Sequence, residues 1–194
     1  MKIDLTKIPC FLLTCEKYQD RWPKVQSYLD DLGITAKFIV GEITNPYTIG
    51  VARGHLDALR ESSGNGPVLL IEDDFVPLGP WRDIIEVPEN ADCLYLGTSL
   101  FYRQEGETKM GKVPKDDLGD FFKISGMLSL HCVLYISEKY KKHVIDLLEN
   151  FDTIGGVDDR ISETQENFMA LAVKKSWAAQ DDGHSYWATS TDLY

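Results

Sequence analysis

The sequence has no glycine-rich phosphate loop; neither a GxGxxG nor a P-loop pattern occurs. Phosphates bound here would have to be neutralised by a metal rather than cradled by backbone amides at a helix start. GxSxG and HExxH are also missing, which removes two common hydrolase signatures. No stretch approaches the roughly 20 apolar residues that span a bilayer. The apolar run after Met1–Lys7 is too short for a signal peptide, so a cytoplasmic protein is expected. The four cysteines, Cys10, Cys15, Cys93 and Cys132, contain no CxxC spacing. Three sit in or beside apolar runs, the setting of buried free thiols rather than disulfides or zinc ligands. Positive charge is scarce, with 20 Lys and Arg against 31 Asp and Glu and a net charge of −11. A nucleic-acid-coating surface needs clustered Lys and Arg, so that class is disfavoured, although a local basic groove stays open.

What is present is an ordinary globular composition. The 194 residues, 43% hydrophobic and 26% charged, suffice for one sizeable core. We expect a single domain over 1–194, with no internal repeat and no low-complexity segment. The most informative stretch is Val68-Leu69-Leu70-Ile71-Glu72-Asp73-Asp74. A short apolar run rich in large aliphatics is a buried strand. Three acids at its C-terminal end are costly unless something positive sits there. In open α/β sheets ligands bind outside the carboxyl ends of the strands, and carboxylates there suit a hard divalent cation that itself bridges phosphates. The alternative is a solvated acidic turn in which Asp73 or Asp74 caps the next segment.

Around this strand the pattern alternates. Ile8–Thr14 reads as a strand and Arg21–Leu32 as a helix with Trp22, Val25, Leu29 and Leu32 on one face, stopped by Gly33. Lys37–Val40 is a second strand, and Ile49–Glu61 a helix with Ala52, His55, Leu56 and Leu59 on one face. This order predicts βαβ units and a largely parallel sheet. Cys93–Leu96 reads as a further strand, and Arg103–Gly119 as a long polar loop that can serve as a lid. Phe121–Ile136 reads as strand material broken at Ser125-Gly126, in the manner of a hairpin. Ser137 caps a helix to Glu149, Ile154–Asp159 is a loop, and Ser162-Glu163-Thr164-Gln165 has capping-box spacing for a helix to Lys175. Trp177–Gln180 is the last strand.

Chemistry-bearing groups stand at four places: Glu72-Asp73-Asp74, Gly54-His55, Asp158-Asp159 and Asp181-Asp182-Gly183-His184-Ser185. Each has a plainer reading. His55 fits a satisfied core histidine, Asp158 and Asp159 fit the positive end of a helix dipole, and His184 fits a surface loop. Asp and His together also suit manganese.

The order of these features resembles glycosyltransferases of the GT-A fold, most closely family 25, the lipopolysaccharide-type β-glycosyltransferases. The resemblance rests on Phe11-Leu12-Leu13-Thr14 followed by Asp20-Arg21, and on Gly50-Val51-Ala52-Arg53-Gly54-His55-Leu56, where Gly54 replaces a serine. It continues through Glu72-Asp73-Asp74, Tyr95-Leu96-Gly97, Leu134-Tyr135-Ile136-Ser137, Asp158-Asp159, Gln180 and Ser185. The chain departs from the family in its short length, in Thr14-Cys15 standing for asparagine-leucine, and in an acceptor region compressed into Arg103–Gly119.

The resemblance implies an α/β, GT-A-like (Rossmann-like) fold with a mostly parallel sheet flanked by helices. It implies sugar transfer from a nucleotide-diphosphate sugar, a UDP-sugar foremost, to an acceptor hydroxyl by metal-assisted inverting displacement. Asp74 would bind Mn²⁺ or Mg²⁺, with His184 as a second ligand. Glu72 or Asp73 would hold ribose or donor-sugar hydroxyls, and Arg21, His55 and Gln180 would line the nucleotide-sugar site. Asp158 or Asp159 would be the general base, with Asp181 or Asp182 next in line. The acceptor would be a lipid-linked glycan, a polypeptide or a small molecule; a nucleobase fits the acidic chain less well. Two rivals stay open: an inactive GT-A-like saccharide- or partner-binding protein, and a metal-dependent nucleotidyltransferase.

Overall fold

The computed structural model describes residues 1–79, 81–99, 101–105, 107–110, 115–151 and 156–181. Strand β1 (Lys2–Asp4) and strand β2 (Cys10–Cys15) lead through a 3₁₀ turn at Glu16–Arg21 into helix α1 (Trp22–Asp31). Strand β3 (Ala36–Gly41), helix α2 (Tyr47–Ser62) and strand β4 (Val68–Glu72) follow. Then come five short strands, β5 (Phe75–Pro77), β6 (Ile84–Glu86), β7 (Cys93–Tyr95), β8 (Phe101–Gln104) and β9 (Glu107–Met110). Strands β10 (Lys115–Asp117), β11 (Phe121–Ile124) and β12 (Cys132–Tyr135) precede helices α3 (Glu138–Glu149) and α4 (Val157–Ser162). Strands β13 (Ala170–Val173) and β14 (Ala178–Gln180) complete the described chain.

Eight strands form one sheet in the order β10-β11-β13-β7-β12-β4-β2-β3. Only β2–β3, β2–β4 and β13–β7 are parallel; the other four joins are antiparallel. The expected mostly parallel, Rossmann-like sheet is therefore wrong, and the architecture is a mixed sheet. The first three expected strands do pair in parallel. The error enters at β12, which inserts between β4 and β7 antiparallel to both. A strand covered on both faces reads as a continuous apolar run whichever way its neighbours point, so Cys132–Tyr135 carried no signal of its direction.

Side chains alternate between two cores, as strand geometry requires. Phe11, Leu13, Leu70, Tyr95 and Val133 pack with Leu56, Leu59, Tyr140, Val144 and Ile161 of α2, α3 and α4. Leu12, Leu69, Ile71, Leu94 and Leu134 pack on the opposite face with Val25 and Leu29 of α1. The predicted inner faces of α1 and α2 are thus the observed ones, with Ala52, His55, Leu56 and Leu59 all buried.

Three further expectations are corrected. Arg103–Gly119 is no loop: β8 and β9 pair as a hairpin, and β10 joins the sheet edge. Phe121–Ile136 is no hairpin, because β11 pairs with β10 and β13 while β12 lies three places away. The helix expected from Ser162 to Lys175 is a 3₁₀ turn at Gln165–Asn167 followed by β13. Ala170-Leu171-Ala172-Val173 is fully buried between β7 and β11, and that burial overrides the capping signal. Ser137 caps α3 as expected, accepting from the Tyr140 amide.

A lysine holds the α2–β4 turn in place. Lys141 of α3 is fully buried; its Nζ donates to Ser62 O at 3.0 Å and Gly66 O at 2.7 Å and pairs with Glu138. Those carbonyls lie in the turn that delivers the chain into β4. Among the described residues no helix is long and apolar enough to cross a membrane. All four cysteines are free, with Cys10, Cys93 and Cys132 buried.

Candidate functional site

Parallel strands β2, β3 and β4 end on one side of the sheet, and the acids stand there. Glu72 is the last residue of β4 and pairs with Leu13, so Thr14 and Cys15 lie just beyond it. The chain then turns through Asp73-Asp74 into β5.

Asp73 is buried and both its carboxylate oxygens are engaged. Thr14 Oγ1 donates to Oδ2, and Arg21 Nη1 donates to Oδ1 at 2.8 Å. Trp22 Nε1 in turn donates to Thr14 Oγ1 at 2.7 Å. The Arg21 guanidinium lies 4.1 Å from the centroid of the Tyr18 ring, a cation–π arrangement. Its buried Nε has no hydrogen-bond partner among the described residues. Burial pushes the Asp73 carboxyl up, against the opposing hydrogen bond from Thr14 and the charge of Arg21. Asp73 and Arg21 therefore meet each other, and Asp73 spends its oxygens inside the protein.

Asp74 is placed differently. Gln180 Nε2 donates to its Oδ2 at 3.2 Å, and the Asp181 amide donates to its carbonyl at 2.6 Å. Oδ1 is buried and has no partner among the described residues. Burial first, then the charges of Glu72 and Asp73, push this carboxyl up to about 7. β14 brings Gln180 here by pairing with β5, Gln180 opposite Phe75.

Behind the acids stands His55. It is 1% exposed, so it does not face solvent, and its Nε2 lies 3.4 Å from Glu72 Oε1. Its buried Nδ1 has no partner among the described residues. The ring reaches any ligand only through Glu72, which keeps some exposure.

Asp158 and Asp159 lie in the first turn of α4, not in the expected loop; of that loop, residues 154 and 155 are outside the described chain. Asp159 Oδ2 accepts from the Gly156 amide at 3.0 Å, and the Asp159 amide donates to Asp158 Oδ1 at 3.0 Å. Asp159 thus caps its own helix. Asp158 is half-buried, and burial, then Asp159 and then Glu72 push it up to about 6. A Cβ on Gly156 would stand 2.1 Å from Asp158 Oδ1, so the absence of a side chain at 156 sets the pose of Asp158. The charge of Glu72 contributes to the upward push on both Asp74 and Asp158. His184, Asp182 and Ser185 fall outside the described residues.

Among the described residues no group of three or more His, Cys, Asp or Glu side chains is arranged to hold a metal. The fit of a cation therefore turns on Asp74. The buried Asp74 oxygen without a partner among the described residues, two residues from Glu72, is a hard oxygen donor of the kind divalent cations take. Mg²⁺-type ions are held by one or two carboxylates with substrate phosphates completing the shell. Asp74 with Glu72 fits that pattern; Asp73 does not, because Arg21 and Thr14 occupy it.

Reading the sequence assigned no site role to Thr14 and Trp22, which build the Asp73 anchor, and missed His131 and Ser129, which with Gly97 hold β14. Thr14 stood out only as a departure from the family pattern. His131 lay inside an apolar stretch with no motif around it.

No protein-family model matches the chain, and no curated protein matches it. Among solved structures the chain is similar to one described as the crystal structure of A197 from STIV. The two share 14% identity at a TM-score of 0.48, over 89% of this chain and 85% of the other. A likeness that loose carries no argument about either fold or activity.

Proposed function

We propose that this protein is a glycosyltransferase that moves a sugar from a nucleotide-diphosphate sugar to an acceptor hydroxyl, assisted by a divalent cation. One observation carries the reading. Asp74, one of three acids at the end of a central strand, has a buried carboxylate oxygen with no partner among the described residues, while the nearest arginine is spent on Asp73. Left alone, that carboxylate is a cost to the fold; with a cation and a diphosphate it becomes a binding site.

Asp74 and Glu72 would hold manganese or magnesium. When bound, the ion neutralises charge developing on the leaving diphosphate. Arg21, fixed by Asp73 and stacked on Tyr18, adds positive charge on the same side. Gln180 orients Asp74, and His55 orients Glu72. For an inverting displacement a carboxylate must take the acceptor hydroxyl's proton. Asp158 suits this task better than Asp159: its carboxyl is pushed up to about 6, close to the working range of a general base, whereas Asp159 is engaged as a helix cap. The absence of a glycine-rich phosphate loop supports the same reading, since neutralisation then falls to the cation and Arg21.

The reading is tested by incubating the protein with a panel of nucleotide sugars and manganese and scoring donor hydrolysis. Release of nucleoside diphosphate from one donor class, abolished by EDTA, supports it. No hydrolysis of any donor across UDP-, GDP-, ADP- and dTDP-sugars overturns it.

A further inference from the structure

A buried imidazole beside the acid strand ties together chain segments that are distant in sequence. His131 immediately precedes β12 and is 2% exposed. Its carbonyl accepts from the Glu72 amide at 3.1 Å. Its ring spans from Ser129 Oγ, 3.1 Å from Nδ1, to the Ala178 carbonyl, 3.3 Å from Nε2. A carbonyl only accepts, so the contact with Ala178 O is a hydrogen bond in the tautomer that carries the ring proton on Nε2. Ser129 Oγ donates to Gly97 O at 2.9 Å. The ring fills the place where a side chain at 97 would stand, since a Cβ there would meet Nε2 at 1.9 Å. Gly97 is thus a glycine because His131 needs the space.

Ala178 opens β14, which pairs with β5 and not with a strand of the large sheet. β14 is moored to the large sheet by the Gly97–Ala178 bridge, by the Trp177 amide on Leu96 O at 2.9 Å and by His131. Ser176 Oγ shares the Ala178 carbonyl at 2.7 Å. Two residues further on, Gln180 and the Asp181 amide hold Asp74.

We propose that His131 is a positioning residue of the acid site: its Nε2–H on Ala178 O seats β14 so that Gln180 and the Asp181 amide hold Asp74 where a cation binds. His131 touches no ligand; it acts through Gln180. The ion-holding part of this inference rests on the proposed function, whereas the seating of β14 does not. Residues that orient ligands in this way typically cost 10–100-fold in metal affinity when lost.

Two variants separate the hydrogen bond from simple filling. His131→Gln keeps an N–H donor near the place of Nε2; His131→Leu keeps bulk and loses the donor. The first readout is amide hydrogen exchange at Asp181 in the protein without ligands, which reports local opening. His131→Leu is expected to speed it about tenfold, and His131→Gln to leave it near the parent. The second readout is UDP affinity in manganese by calorimetry. It is expected to fall about 10-fold or more in His131→Leu, and His131→Leu is expected to add less than twofold in a Gln180→Ala background. Independent effects would multiply. Unchanged exchange at Asp181 in His131→Leu, equal damage from both His131 variants, or full multiplication with Gln180→Ala each overturns the proposal. If His131→Leu does not fold, Ser129→Ala is read in the same way, with faster exchange at Asp181 expected and unchanged exchange contradictory. If the parent itself fails to bind UDP with manganese, the proposed function falls, and the exchange measurements still judge His131.

Discussion

Arg21 pairs with Asp73 and not with Asp74: Nη1 lies 2.8 Å from Asp73 Oδ1. Of two adjacent acids in one turn, one is neutralised inside the protein and the other has a buried oxygen with no partner among the described residues. That asymmetry separates a scaffold carboxylate from a ligand carboxylate, and each acid therefore responds differently to pH, metal and substitution.

The first prediction concerns pH and stability. Asp74 is pushed up to about 7 in the fold, against about 3.9 in an unfolded chain. The fold therefore holds the proton more tightly than the unfolded chain does. Its contribution is full below about pH 4 and is lost as pH rises through about 7. Asp74→Asn removes that loss. In metal-free buffer the variant's Tm should equal or exceed the parent's at pH 8, with the gap closing toward pH 4. Manganese should raise the parent's Tm and leave the variant's unchanged. A variant that melts well below the parent at pH 8 would make Asp74 a structural cap.

The second separates the acids of α4. Asp158→Asn should lower transfer by about 10²–10⁴-fold, the usual cost of a lost general base, and leave UDP affinity intact. In the parent, transfer should rise with pH through about 6, because the base must be ionised and burial pushes Asp158 up to about 6. Asp159→Ala should cost about 1 kcal/mol of stability through the lost cap and keep most of the rate. Steady-state kinetics beside thermal melts decide; the reverse pattern would exchange the two roles.

The third uses Gly156. A Cβ there would stand 2.1 Å from Asp158 Oδ1 and 3.2 Å from Asp159 Oδ2. Gly156→Ala should swing Asp158 out of place and lower kcat, with the KM for the donor unchanged. A normal kcat would show that the pose of Asp158 does not matter to transfer.

Much of the N-terminal half was legible in the sequence because its signals are local. The apolar stripes of α1 and α2, the turn at 62–67 and the acids at the end of β4 each follow from residue spacing. Sheet direction was not legible. β12 and β13 are short, uniformly buried runs, and their partners are chosen by contacts far along the chain. The polar stretch after Arg103 read as a loop because β8, β9 and β10 carry charged and polar residues on exposed edges, where strand pairing needs no apolar alternation. The site was legible as a set of acids and not as a division of roles. That division comes from Thr14, Trp22 and Arg21, whose meeting with Asp73 is a tertiary event.

The fourth prediction isolates scaffold from site. Lys141 Nζ satisfies two carbonyls of the α2–β4 turn. Lys141→Met fills the space and leaves them unpaired, at about 1–3 kcal/mol for a buried unsatisfied group. Denaturant unfolding should register that loss, with UDP affinity unchanged below the transition. An affinity loss larger than the stability loss would couple this turn to the acids it feeds.

Calorimetric titration of the parent with UDP, in manganese and then in EDTA, tests the central claim most directly. The account predicts binding in manganese, loss of at least tenfold in affinity in EDTA, and the same loss in Asp74→Asn with manganese present. Equal affinity in manganese and EDTA would contradict a cation at Asp74 and with it the proposed chemistry.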